Sequence, residues 1–226
     1  MTTATIQKTD HAIHRQVIEE LNWDTRVDET EIGVEVHDGI VTLTGTVHSY
    51  AKKMAAQEAA HRVNGVLDVV NEVKVAPYAA SGTTDEAIAK SARFALEWNT
   101  LVPSDHIQTT VSNGWITLTG ATPTAADRRT AEDAVKNLRG VVGVINQITI
   151  ETPVVTEPFL KTAIESALER RADREAQRIH VELNDGTVEL SGRVHNWQEK
   201  MAVLGAVEFA PGVRKVEDHL RIDPYF

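Results

Sequence analysis

The chain has 226 residues, 42% hydrophobic and 25% charged, a balance that excludes the disordered and fibrous classes. A net charge of −10 argues against bulk attraction to nucleic acid or an anionic membrane, whose phosphates are held largely by Lys and Arg. With no cysteine, disulfides, thiolate nucleophiles and zinc–sulfur sites are excluded as well.

The opening MTTATIQKTD has no basic head followed by an apolar run, and no later apolar stretch approaches the roughly 18 residues of a membrane span. The expected location is cytoplasmic, or periplasmic if an export signal has been removed. From Thr9-Asp10 onwards, Ile13, Val17 and Leu21 recur at i, i+4 and i+8, one stripe of a helix with a hydroxyl cap and a first-turn carboxylate. Ile32, Val34 and Val36 then alternate as a half-buried strand. Asp38-Gly39 suits the two-residue type I′ hairpin turn, whose central residues both take positive φ. That turn sets the register of the returning strand, with Val36 facing Val41, Val34 facing Leu43 and Ile32 facing Gly45. Ser49 caps a second helix whose inward stripe is Ala55, Ala59 and Val63, Gly65 stops it, and Val69, Val73 and Val75 mark a last strand.

The same order returns twice without an internal gap. After the linker APYAASGTT, Thr84-Asp85 opens a helix with Ile88, Ala92 and Leu96, and Asn113-Gly114 turns the hairpin between Ile107-Thr109-Val111 and Ile116-Leu118-Gly120. Thr124 with Asp127 forms a capping box for a helix with Thr130, Ala134 and Leu138 inward, and Val144, Ile148 and Ile150 close the unit. After ETPVVT, the third unit runs through Leu160, Ile164 and Leu168, the hairpin at Asp185-Gly186, a helix capped by Asn196 with Ala202, Ala206 and Ala210 inward, and Val216, Leu220 and Ile222. Nine of the 13 glycines stand in three columns: Gly39, Gly114, Gly186; Gly45, Gly120, Gly192; Gly65, Gly140, Gly212. The fold class expected is α+β: three tandem α-β-β-α-β units over 9–77, 84–151 and 156–226, each a three-stranded mixed sheet with two helices on one face.

An I-x-V-x-V-x-(D/N)-G-x-V-x-L-x-G hairpin closed by G-V-x-x-V-x-(N/D)-x-(L/I/V)-x-V resembles the BON domain, the bacterial osmotic-stress and nodulation family. The residues carrying the match are Ile32–Gly45 with Gly65–Val75, Ile107–Gly120 with Gly140–Ile150, and Ile179–Gly192 with Gly212–Ile222. The resemblance implies a bacterial, non-enzymatic binding module associated with the cell envelope and engaging phospholipid or another envelope component.

A catalytic set triplicated with its function would leave acids, bases or nucleophiles in register, and none recurs, so no enzyme is expected. The shared polar column Asn71, Asn146 and Asp218 is expected to bond the backbone near the preceding turn. No histidine recurs in all three units, so neither a metal site nor a cofactor is expected. Trp23 and Trp98 align at the ends of first helices, and Tyr50 and Trp197 at the first turn of second helices. Trp197, with Tyr50, Arg193 and Lys200 and the basic stretch Arg170, Arg171 and Arg174, is the ligand or lipid contact expected, with the third unit foremost. The partners expected are a phospholipid or envelope component; the alternative is a cytosolic scaffold binding a protein partner or itself through exposed sheet faces. Nucleic acid is not expected. What covers Trp115, which stands where Ile40 and Thr187 stand in the other units, is left open.

Overall fold

The computed structural model describes residues 9–77, 83–151, helical positions 160, 162, 164 and 166, and 179–224 apart from 185, 209 and 211. In the first repeat, α1 (Asp10–Trp23) begins at Thr9, whose side chain accepts from the Ala12 N–H, and buries Ile13, Val17 and Leu21. Strands β1 (Ile32–His37) and β2 (Ile40–Val47) form the hairpin, and the expected register holds: Ile32 pairs with Gly45, Val34 with Leu43 and Val36 with Val41. Asp38 and Gly39 have φ of 50° and 76°, as a type I′ turn requires. Helix α2 (Tyr50–Arg62) crosses back, and β3 (Asp68–Asn71) and β4 (Lys74–Val75) run parallel to β2. The last strand is thus briefly interrupted, although the Glu72 N–H still donates to the Leu43 carbonyl (2.8 Å).

The second repeat has α3 (Asp85–Trp98), β5 (Ile107–Ser112), β6 (Trp115–Thr122), α4 (Ala125–Lys136) and an unbroken β7 (Gly143–Ile150). Its sheet order is β5-β6-β7, antiparallel then parallel, so the expected mixed sheet is present. In the third repeat β8 (His180–Asn184), β9 (Thr187–Val194) and β10 (Lys215–Ile222) form the same three-stranded sheet, with α5 (Trp197–Glu208) between the last two. The chain packs as two compact units, Met1–Ala76 with Arg193–Lys200 and Arg221–Phe226, and Pro77–Gly192 with Met201–Leu220.

Each repeat has its own core. In the first, Val41, Leu43, Leu21 and Val17 are almost wholly removed from water, each such side chain contributing about 1.5–3 kcal/mol of transfer free energy. In the third, Leu160, Ile164, Val188, Leu190 and Val207 play the same part. The inward stripe of the second helices is shifted by one residue in the second repeat. Ala131 and Val135 are buried there while Thr130, Ala134 and Leu138 are only half-buried, and Ala56/Ala60 and Val203/Val207 occupy the corresponding inward positions. Alanine-rich helices show little contrast between faces, so their phase is settled by the sheet they pack on.

The glycine columns are explained by backbone approach. Gly65, Gly140 and Gly212 do not end their helices. α2 has already closed at Val63, whose N–H donates to the Ala60 carbonyl (3.2 Å), and the glycine follows in the next turn at φ +99°. A side chain at Gly114 would meet the Gly140 carbonyl oxygen at 2.9 Å, and one at Gly39 the Gly65 oxygen at 3.2 Å. The two turns pack backbone on backbone. Gly120, opposite Ile107 in the hairpin, is held by the neighbouring backbone. At φ +125° an added Cβ would run into the His106 carbonyl oxygen.

Candidate functional site

The helix starts explain most of the recurring polar residues. Asp10 does more than sit at the positive end of α1: its Oδ2 and Oδ1 accept from the Asp38 and Gly39 N–H groups at 2.9 and 3.0 Å. Asp85 holds Asn113 and Gly114 in the same way, at 2.8 and 2.9 Å. The aspartate is a clamp between the first helix and the hairpin turn, and its signal in the sequence was the repeated Thr-Asp followed 28 residues later by the turn. The Asn71 column is architectural too. Asn71 Nδ2 donates to the Lys53 carbonyl and Gln57 Oε1, and its Oδ1 accepts from the Val73 N–H at 3.2 Å. Asn146 repeats this with Arg128, Glu132 and Ile148, and Asp218 Oδ1 accepts from the Leu220 N–H at 2.9 Å. These side chains tie the last strand to itself and, through the two asparagines, to the second helix.

Tyr50 and Trp197 are indeed the first residues of α2 and α5, and both are half-buried. Trp197 does not stand free: its ring lies on the His61 imidazole with centroids 3.8 Å apart and planes 7° from parallel. Lys200 Nζ lies 5.6 Å from the centre of the indole. His61 is buried, its Nδ1 has no hydrogen-bond partner among the described residues, and burial pushes its pKa down to about 4. Arg193 Nη1 is 3.4 Å from Asp223 Oδ2. Arg170, Arg171 and Arg174 lie outside the described residues. One face of the Trp197 ring is thus covered by the His61 imidazole.

Among the described residues, an exposed aromatic pair lies elsewhere. Helix α3 buries Ile88, Ala92 and Leu96, and on its opposite side Phe94 and Trp98 stand 59% and 73% exposed, ring centroids 5.3 Å apart. Leu101 follows at 70% exposure, and Trp23 stands at the end of α1 at 84%. The charges beside the pair are balanced along the helix, Lys90 with Glu86 (2.6 Å) and Arg93 with Glu97 (3.8 Å). Phe94 and Leu101 were not singled out in the sequence because nothing like them recurs. The available signal was two aromatics four apart on the polar side of an amphipathic helix. Trp115 has a plain role: its indole fills the space that a side chain at Gly143, its partner on the neighbouring strand, would take.

Residues 9–77, 84–152 and 159–224 each match the BON domain. The chain is 29% identical over 144 residues to the osmotically-inducible protein Y of Escherichia coli (strain K12), covering 62% of this chain and 71% of that protein. It is 27% identical over 150 residues to a 21 kDa hemolysin of Actinobacillus pleuropneumoniae, covering 65% and 76%. Among solved structures it is similar to a structural protein of the type III secretion system of Chlamydia trachomatis, at 15% identity over 92% of this chain and 91% of that one, with a TM-score of 0.27. No helix among the described residues is long and apolar enough to cross a membrane.

Proposed function

The chain belongs to the BON domain family, with three tandem copies, and on that premise we infer that it is a non-enzymatic bacterial binding protein that engages phospholipid surfaces. The observation that carries the reading is the exposed group Phe94, Trp98 and Leu101 at the end of α3. Large amphipathic aromatics favour the boundary between headgroups and acyl chains, and a helix end presenting two of them with a leucine can insert there without spanning. On this reading the contact lies on the second repeat, at the end of α3, and Trp23 stands at the position of the first repeat that aligns with Trp98. Net negative charge makes apolar insertion the main contribution and electrostatic attraction a minor one.

Vesicles of phosphatidylcholine with and without phosphatidylglycerol, sedimented with the full chain at low and moderate salt, test this. Binding should persist at moderate salt, weaken several-fold in Trp98→Ala and in Phe94→Ala, and be little changed in Arg193→Gln. Absence of binding on both compositions at low salt would sink the lipid reading and leave the alternative of a protein-interaction scaffold.

A further inference from the structure

In the third repeat the solvent face of the sheet differs in kind from the other two. Strand alternation turns Val181, Val188, Leu190 and Leu220 into the core, and sets His180 and Glu182 of β8, Glu189 of β9, and Glu217 and His219 of β10 on the other face. Glu182 pairs directly with Glu189, and Glu189 is on the central strand, so three carboxylates cross the sheet in one row. Like charges directly opposite on neighbouring strands are destabilising. The fold does not require them: the same row reads Thr110, Thr117, Ile145 in the second repeat and Glu35, Thr42, Val70 in the first.

Two imidazoles accompany the carboxylates. Single donor atoms of Glu189, Glu217 and His219 all lie within 4.8 Å of one another, and His219 Nε2 is 3.5 Å from Glu189 Oε1. On β8, His180 Nε2 is 3.0 Å from Glu182 Oε1, and on β10 Lys215 Nζ holds Glu217 Oε1 at 2.7 Å. Donors around a tetrahedral zinc at about 2.1 Å stand about 3.4 Å apart, which the His219–Glu189 pair already matches. Imidazole plus carboxylate, without thiolate, is the donor set of first-row divalent ions such as zinc. We propose that Glu189, Glu217 and His219 bind one zinc-class divalent cation on the open sheet face of the third repeat, with Glu182 and His180 beside it. The other such cluster among the described residues, Asp10–His37–Asp38, is not equivalent, because both Asp10 oxygens already accept the turn N–H groups.

Isothermal titration of zinc into the untagged, chelator-treated full chain tests the site. One equivalent should bind with a Kd on the order of micromolar, and zinc should raise the melting temperature. Glu189→Thr and His219→Gln, which install the residues found at the matching positions of the second repeat, should each weaken binding by about tenfold or more. Both positions are exposed, so the variants keep their fold, which circular dichroism verifies. His37→Ala should bind as the parent does. Lack of saturable binding by the parent, or parent-like affinity in both Glu189→Thr and His219→Gln, would overturn the assignment.

Discussion

Gly120→Ala should destabilise the second repeat by roughly 2–6 kcal/mol, and nearly as much as Gly120→Val. At φ +125° a side chain is strained whatever the space, an effect of about 1–3 kcal/mol. Its Cβ would also meet the His106 carbonyl oxygen and lie 3.2 Å from Ile107 Cα, both backbone atoms at the entry to the paired strand that cannot rotate away. Displacing them adds about 1–3 kcal/mol. For a repeat of this size the sum lowers the melting temperature by at least about 8 °C. Gly33→Ala is the control: its φ is ordinary, and its Cβ would meet only the Thr44 hydroxyl, at 2.7 Å, a side chain that can turn. That change should stay within about 1 kcal/mol. Thermal unfolding followed by circular dichroism gives the totals, and hydrogen exchange of peptides covering β5 and β6 locates the loss. An alanine variant that melts with the parent, beside a valine variant that does not, would show that side-chain volume governs the position and refute the backbone argument.

Asp85→Ala removes both acceptors from the hairpin turn and should cost about 1–2 kcal/mol, with faster exchange at the Asn113 and Gly114 amides; unchanged exchange would deny the clamp. Trp115→Thr should cost about 1 kcal/mol by uncovering Gly143, and adding Gly143→Thr to it should recover stability, a coupling that a double-mutant cycle in urea measures. His61 supplies a pH dependence. Burial first, and the Lys200 charge against the opposing effect of Asp68, hold its folded pKa at about 4, below the ordinary 6.5. The stabilisation from a neutral His61 is therefore complete above pH 6.5 and is lost progressively as pH falls towards 4. His61→Phe, which keeps a ring for Trp197 and cannot titrate, should flatten the denaturant midpoint over that window; an unaltered profile would assign the acid sensitivity elsewhere.

Much of the molecule follows from local rules that a single sequence displays. Positive φ at Asp38-Gly39 and Asn113-Gly114 dictates the hairpin turn, the turn dictates the register, and alternation then decides which side chains are core. Three repetitions make the mixed sheet and its covering helices legible, because an accidental pattern does not recur at fixed spacing. Tertiary structure decided what depends on groups distant in the chain. The partner of Asp10 lies 28 residues away, the obstacle to a side chain at Gly120 is the carbonyl of His106, and the phase of the alanine-rich helices is set by the sheet beneath them. The same holds for the candidate sites. Trp197 offers an amphipathic ring in sequence, but only packing puts His61 against it. Glu189, Glu217 and His219 are unremarkable on their own strands and form one donor cluster only because β10 lies beside β9. Patterns along the chain report which face a residue takes; whether that face meets solvent, a ring or a second charge depends on strand order and helix phase, which exist only once the repeats are folded.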